Sequence, residues 1–149
     1  MVNLAIADCY ISTYDAKYFY NFWRPVTAIR AGDLDGNPRT IADPEWTSFL
    51  VTPPIPDNSS RHSVAGAGVA QALARFFDND NIHFTATSGA PFPGITRSFT
   101  SFSQAAQENA DSRVYAGIHF RSACRDGLKQ GTKVGRYTFN HFLKPVRGK

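Results

Sequence analysis

The chain has 149 residues, of which 42% are apolar and 13% aromatic, so it is long and apolar enough to fold as one domain over residues 1–149. Lys and Arg outnumber Asp and Glu by 16 to 12, a net charge of +4. This composition excludes an intrinsically disordered chain, and the scattered cations permit a local anion site without indicating a nucleic-acid surface.

The first predicted element is a helix over residues 2–22. Four aromatic side chains recur on it at a spacing of four: Tyr10, Tyr14, Tyr18 and Phe22. This spacing stacks them along one helical face. Pro25 ends or restarts the helix, because proline cannot continue the backbone hydrogen bonding of a helix interior.

Turn residues and prolines dominate the next segment. Residues 32–39 have the composition of turns, and Asp43-Pro44-Glu45 has the pattern of a helix N-terminus. The sequence therefore predicts a short helix after Asp43, which must end before the proline run at residues 53–56.

A second long helix is predicted over residues 63–77, where small residues favour close helix packing. The Asp and Asn residues at 78–81 end it. Residues 82–100 are rich in Thr, Ser, Gly and Pro, and we expect an irregular excursion there.

Two further helices complete the predicted bundle. Ser101 or Ser103 caps a helix that runs to Tyr115, and Gly117 interrupts it. The last helix spans about residues 120–142. With three or four substantial helices and little alternation of period two, the sequence predicts an all-α helical bundle whose functional loops lie at helix ends.

The two cysteines, Cys9 and Cys124, are too few for a disulfide framework and have no zinc-site spacing. We interpret both as buried small residues. No stretch approaches the ~20 apolar residues of a membrane span, and the N-terminus has no cationic region followed by an apolar run. A soluble chain is therefore expected, in a compartment that the sequence does not specify.

Three separated segments contain cations and histidines suited to binding a tetrahedral oxyanion. The candidate residues are Lys17 and Arg24, then Ser60, Arg61 and His62, then Arg113 and His119. Such an anion spreads its charge over several oxygens, so its site needs a guanidinium fork, a point charge, hydroxyl donors and a group that attacks or protonates. All of these groups are present.

Each candidate alone has an ordinary structural explanation, as a solvated charge, a helix cap or a residue at a helix junction. An anion site explains all three segments together, which is why we favour it. His83 and His141 match no motif and are interpreted as structural residues.

The spacing of these residues resembles that of the vanadium-dependent haloperoxidases and the related type 2 phosphatidic acid phosphatase superfamily. The family pattern is Lys, six residues, Arg-Pro; then Pro-Ser-Gly-His; then Ser-Arg, five residues, His, three residues, Asp. The corresponding stretches are Lys17 to Pro25, Ser59-Ser60-Arg61-His62, and Ser112-Arg113 with His119. The resemblance covers nearly the whole chain. The chain is similar to the C-terminal portion of proteins in the bacterial haloperoxidase-like branch.

This resemblance implies a haloperoxidase that uses vanadate as cofactor and hydrogen peroxide and a halide as substrates, oxidising the halide to hypohalous acid. His119 would bond the vanadium, and His62 would be the acid/base. The oxygens would be held by the cofactor-binding group Lys17, Arg24, Ser60 and Arg113, with Arg61 either joining it or filling the site.

Two departures from the family pattern affect this assignment. Arg61 replaces a glycine, which adds a bulky side chain beside the anion. Ala123 stands where the family has Asp, which removes the expected partner that orients His119. Asp126, about two helical turns from His119, is too far along the helix to replace it.

Two other functions therefore remain open. Without vanadate, the same site could bind phosphate and hydrolyse a small phosphate ester through a phosphohistidine at His119. The third possible function is that of a degenerate, non-catalytic protein that binds an anion. Because family members carry helices upstream of the first motif, we also expect exposed apolar faces, self-association into a homo-oligomer or poor solubility.

Overall fold

The computed structural model of the protein describes residues 1–90 and 92–144. Its helical elements are α1 (Val2–Tyr20), α2 (Pro25–Arg30), a 3-10 turn (Gly32–Leu34), α3 (Arg61–Phe76), α4 (Phe102–Tyr115) and α5 (Arg121–His141). Two short strands, β1 (Phe84–Thr87) and β2 (Thr96–Phe99), lie between α3 and α4. The predicted all-α helical bundle is confirmed, with one small hairpin added to it.

The closest helix pair of the bundle is α3 with α5. Gly127, Gly131 and Gly135 are buried and spaced four apart, so they form one stripe along α5. A Cβ at Gly131 would overlap the backbone oxygen of Val64, and one at Gly127 would lie 2.9 Å from the backbone oxygen of Ser60. The glycine stripe therefore lets the two backbones touch and brings the N-terminus of α3 beside that of α5.

Helix α1 packs on α3 and α5. Its buried residues are spaced four apart: Ala5, Cys9, Thr13 and Lys17. The predicted aromatic face is a different one and is partly exposed, with the Tyr14 and Tyr18 rings stacked at a centroid distance of 6.5 Å. The buried stripe of α1 therefore ends in a cation, Lys17, at the end of the bundle where α3 begins. Cys9 and Cys124 are both buried and free, as predicted.

The prediction of a short helix after Asp43 is wrong, because this segment forms a turn. The Asp43 Oδ1 accepts a hydrogen bond from the Glu45 N–H at 3.2 Å, and the Asp43 carbonyl accepts one from the Trp46 N–H at 3.2 Å. Asp43 thus satisfies local donors without opening a helix. The few residues before the prolines are too short a segment to form a stable helix without tertiary support.

The prediction of irregular structure over residues 82–100 is also wrong in part, because β1 and β2 pair antiparallel, with Phe84 opposite Phe99 and Thr87 opposite Thr96. The Phe84 ring lies 5.2 Å from the Phe99 ring and 5.5 Å from that of Phe102 on α4. Aromatic packing against α4 therefore holds a hairpin whose composition alone indicates a loop.

The ends of α4 match their predicted caps. Ser101 Oγ accepts a hydrogen bond from the Gln104 N–H at 3.0 Å, which caps the first turn. Gly117, with φ of 72°, turns the chain sharply after α4. In residues 1–90 and 92–144, no helix is both long and apolar enough to cross a membrane.

Candidate functional site

The residues predicted to bind an anion lie where helices begin and end. Lys17 is in the last turn of α1, Arg24 is the N-cap of α2, and Ser60 is the N-cap of α3. Arg113 is in the last turn of α4, and His119 lies just before α5. The Ser60 N–H donates to the Ala123 carbonyl at 3.0 Å, which ties the starts of α3 and α5 together. Helix N-termini carry partial positive charge, which adds to that of the cations.

Lys17 is buried, with only 1% of its surface exposed. Its ammonium group donates to the backbone oxygens of Pro56 at 2.7 Å and Asp57 at 2.9 Å. Burial, followed by the positive charge of Arg24, lowers the pKa of Lys17 to about 8. The ammonium group is therefore held in place by the proline loop, yet its charge is incompletely compensated.

Arg24 bridges the proline loop and the segment that precedes α5. Its Nε donates to the Ile55 oxygen at 2.8 Å, and its Nη1 donates to the Ile118 oxygen at 2.6 Å. The same Nη1 lies 3.1 Å from His119 Nε2. The guanidinium group is thus fixed beside Nε2 of His119.

His119 is buried, and a carboxylate lies beside it. Its Nδ1 is 2.7 Å from Oδ1 of Asp57, and Asp57 is fully buried. Oδ1 has no hydrogen bond of regular geometry to any described residue, but at 2.7 Å the carboxylate is close enough to hold a proton on Nδ1. Burial lowers the pKa of His119, and Asp57 opposes that shift. A neutral ring with its proton on Nδ1, the tautomer assigned from this contact, keeps a lone pair on Nε2.

The sequence interpretation missed Asp57, because it sought the orienting acid at Ala123 or Asp126. Ala123 is buried and contributes only its backbone oxygen, whereas the Asp126 carboxylate faces Arg125 and Lys129 at 4.0 Å. The expectation that His119 lacks an acidic partner is therefore wrong. The available signal was an acidic residue directly after the proline run and three positions before Ser60.

Ser60 is fully buried at the start of α3. Its hydroxyl accepts a hydrogen bond from the Ser63 hydroxyl at 3.0 Å, and both serines act to lower the pKa of the nearby Cys124 thiol. Burial raises the pKa of the Cys124 thiol, which remains protonated at neutral pH. Ser60 therefore lies in a small polar cluster between α3 and α5.

Arg61 lies against α1. Its Nη1 donates to the Tyr14 hydroxyl at 2.8 Å, and its guanidinium carbon lies 5.4 Å from the centre of the Tyr10 ring. A cation above an aromatic ring is attracted by the ring quadrupole. These contacts account for the guanidinium group of Arg61 without an anion, so its membership of the anion site stays a prediction.

His62 and Arg113 form the more open side of the site. The Asn109 amide donates to the backbone oxygen of His62 at 2.7 Å. Lost hydration, followed by the charges of Arg113 and Arg61, lowers the pKa of His62 to about 4, although the residue is exposed. Arg113 is half-buried and donates to Ser112 Oγ at 3.1 Å. His62 is therefore neutral at neutral pH.

The buried charges of the site do not balance. Among the described residues, Lys17 and Arg24 are the buried cations, and Asp57 is the single buried carboxylate. Buried charges need partners, so this excess of positive charge suits an anion. The described chain brings together no group of three or more His, Cys, Asp or Glu that could hold a metal cation.

The chain is similar to vanadium-dependent haloperoxidases. A sequence model described as the VCPO second helical-bundle domain matches residues 1–148. Vanadium chloroperoxidase of Curvularia inaequalis is 27% identical over 189 residues, which cover 95% of this chain and 30% of that protein. The crystal structure of a bacterial vanadium-dependent iodoperoxidase is 39% identical, with a TM-score of 0.81 over 93% of this chain and 32% of the other.

A second solved structure shares the fold at lower identity. The holo form of a bacterial vanadium-dependent chloroperoxidase is 23% identical, with a TM-score of 0.73 over 91% of this chain and 33% of the other. The chain thus spans about one third of the length of the relatives that it matches.

Proposed function

Because the chain belongs to the family of the VCPO second helical-bundle domain, we propose that it carries the vanadate site of a vanadium haloperoxidase-like oxidoreductase. The observation that carries this proposal is the pair of buried cations Lys17 and Arg24 beside a neutral His119, with Asp57 as the single buried carboxylate among the described residues. An anion at this point would supply the missing negative charge.

The residues present fit vanadate. The lone pair on His119 Nε2 would bond the vanadium, while Lys17, Arg24, Ser60 and Arg113 would hold its oxygens. When bound, vanadate supplies a Lewis acid that activates hydrogen peroxide to oxidise a halide to hypohalous acid. Backbone oxygens already hold the guanidinium and ammonium groups in place. The contact of Arg24 Nη1 with His119 Nε2 at 3.1 Å would give way to the anion.

Asp57 and His62 have different roles in this proposal. Asp57 keeps the proton of His119 on Nδ1 and turns Nε2 toward the anion. The negative charge of a bound anion would raise the pKa of His62 above its value of about 4 in the free protein, so that the neutral ring could accept a proton from hydrogen peroxide. The imidazolium so formed can return that proton when the product leaves.

A phosphatase function is the second candidate, and the same His119 geometry favours it. The Nε2 lone pair would attack the phosphorus of a small phosphate ester, the alcohol would leave with a proton, and water would then release phosphate from the histidine. The third reading, a non-catalytic anion binder, has less support, because Asp57 supplies the acid that Ala123 lacks.

The test compares both reactions on the full chain. Peroxide-dependent bromination of phenol, with and without added vanadate, measures the first, and hydrolysis of p-nitrophenyl phosphate measures the second. We expect vanadate-dependent bromination that is lost in His119→Ala and kept in His83→Ala. Hydrolysis inhibited by vanadate, without bromination, would establish the phosphatase instead.

A further inference from the structure

An apolar groove runs along α3, between α1 and α4, which both pack against this helix. Its cavity volume is about 620 Å³. The residues that define this α3 groove are His62, Gly66, Val69 and Leu73 along its floor and Phe84 and Phe102 at its far end. Volumes of a few hundred Å³ are typical of sites for small organic molecules.

The sequence explains both the shape of the α3 groove and its direction. Positions 62, 66, 69 and 73 recur at helical spacing, so they form one face of α3 that is about 16 Å long. Two further lining residues, Ala65 on α3 and Ala105 on α4, have short side chains that leave space in the groove. The floor therefore leads from an apolar, aromatic end directly to His62.

Polar groups converge at one end of the α3 groove. His62 and Asn109 line it there, and Tyr10 lines its wall beneath the guanidinium group of Arg61. At the other end, the Phe84 and Phe102 rings lie 5.5 Å apart. A ligand that matches this polarity has an apolar body and a polar or anionic head.

We propose that the α3 groove binds the apolar body of an organic substrate, at least two fused aromatic rings in size, with its polar head at His62. The reaction at that head rests on the proposed function, whereas the binding does not. The head would be a phenol for the haloperoxidase and a phosphate ester for the phosphatase. In both cases the groove binds the apolar body of the substrate, and His62 contacts its reacting polar head.

The test uses pairs of probes that differ by one ring: 2-naphthol with phenol, and 2-naphthyl phosphate with phenyl phosphate. Calorimetry on the full chain should show that the naphthyl member of each pair binds at least tenfold more tightly. Ala65→Phe on α3 and Ala105→Phe on α4, which fill the groove from two different helices, should each remove this preference. Ala7→Phe, on the exposed side of α1, is the matched control and should behave as the wild type.

The outcomes separate the groove from the chemistry. Equal binding of naphthyl and phenyl probes, or a naphthyl preference that persists in both filled variants with native circular dichroism, overturns the proposal. Self-association that the filled variants abolish, without binding of 2-naphthol, overturns it in favour of a second copy. If the filled variants lose the tighter binding of the naphthyl probes but no variant brominates or hydrolyses, the groove proposal is supported and the proposed function is wrong. Turnover of naphthol or of naphthyl phosphate identifies which head group reacts.

Discussion

Asp57 is the residue through which the parts of the site are connected. Its carboxylate lies 2.7 Å from His119 Nδ1 and 3.7 Å from Arg24 Nη1, and its backbone oxygen accepts from Lys17 at 2.9 Å. One residue thus offsets part of the buried positive charge and faces the ring that the proposed chemistry uses. Changes at Asp57 should therefore affect both stability and activity.

The Asp57→Asn substitution keeps the shape of the side chain but removes its charge. Breaking a buried charge cluster in this way typically costs about 3–5 kcal/mol, so the free energy of unfolding should fall by about that much. Loss of the partner that orients a ligating histidine should lower bromination about 10- to 100-fold. Urea denaturation and steady-state kinetics measure the two effects.

Asp126→Asn is the matched control, since this carboxylate faces solvent-exposed cations at 4.0 Å. It should change the free energy of unfolding by less than about 0.5 kcal/mol. Equal effects of the two substitutions would contradict the role of Asp57.

The lowered pKa of Lys17 predicts that anion binding depends on pH. Its pKa of about 8 in the free protein means that the ammonium form is present below that pH and is lost above it. A bound anion favours the ammonium form and raises this pKa, so affinity should fall above pH 8 by up to about tenfold per pH unit. Calorimetric titration with phosphate from about pH 8 to 9.5, where phosphate already carries two charges, measures the slope.

The Lys17→Met variant tests the source of that slope. It should bind phosphate weakly and with little change over the same pH range. A wild-type affinity that stays constant across this range, or a Met variant with the wild-type slope, would exclude Lys17 as the titrating group.

The sequence shows the cations and histidines of the site but not their partners. Lys17, Arg24 and His119 can be found from spacing, because the motif fixes which residues recur. Their partners are backbone oxygens of residues 55–57 and the carboxylate of Asp57, brought close by the fold. Every residue has a backbone oxygen, so the sequence cannot indicate which of them will bind a cation. Asp57 is visible in the sequence as an acidic residue, but no neighbouring residue indicates that it faces His119.

Among the elements, the contact between α3 and α5 determines where the site forms. The glycine stripe of α5 allows the backbone of Val64 to touch Gly131, and the Ser60 N–H reaches the Ala123 carbonyl at 3.0 Å. Larger side chains on this stripe would separate the two helices. The positions of Ser60 and His119 relative to each other therefore depend on glycines that lie outside the site.

The Gly131→Ala substitution tests this dependence. Its Cβ would overlap a backbone oxygen, so the helices must move apart at a cost of about 1–3 kcal/mol, which exceeds the gain in helix propensity of up to about 1 kcal/mol. Thr132→Ala, exposed on the same helix, is the control and should be nearly neutral. Urea denaturation that finds Gly131→Ala as stable as the wild type would refute close backbone contact.

The four long helices were predictable, and the two short features were not. Helices α1, α3, α4 and α5 begin and end within about two residues of their expected limits, because proline, Ser101 and Gly117 mark their ends. The segment after Asp43 carries the same local signals but has no helix partner to stabilise it. Strands β1 and β2 depend on the packing of Phe84 against Phe102, a contact between elements that local composition does not encode.

At the scale of the whole molecule, the chain exposes large apolar side chains. On α1, Ile11 is 71% exposed and Phe19 is 79% exposed, and in the loop before the prolines Val51 is 94% exposed. Several such residues on one helix form more than the scattered apolar atoms of an ordinary surface. This supports the expectation that the isolated chain associates with itself.

Sedimentation velocity at increasing concentration measures that association. We expect the mean mass of the wild type to rise with concentration, and Ile11→Lys with Phe19→Lys to lower it. Tyr115→Lys, a change at an exposed aromatic residue of α4, is the control and should leave association unchanged. A monodisperse wild-type monomer with sharp cooperative unfolding would contradict the prediction.

The central claim is that buried cations around a neutral His119 bind vanadate, and calorimetric titration of the full chain with vanadate tests it most directly. We predict one vanadate per chain in the wild type and in His83→Ala, and loss of that binding in His119→Ala with unchanged circular dichroism. Absence of binding to the folded wild type, or equal binding to His119→Ala, would contradict the claim.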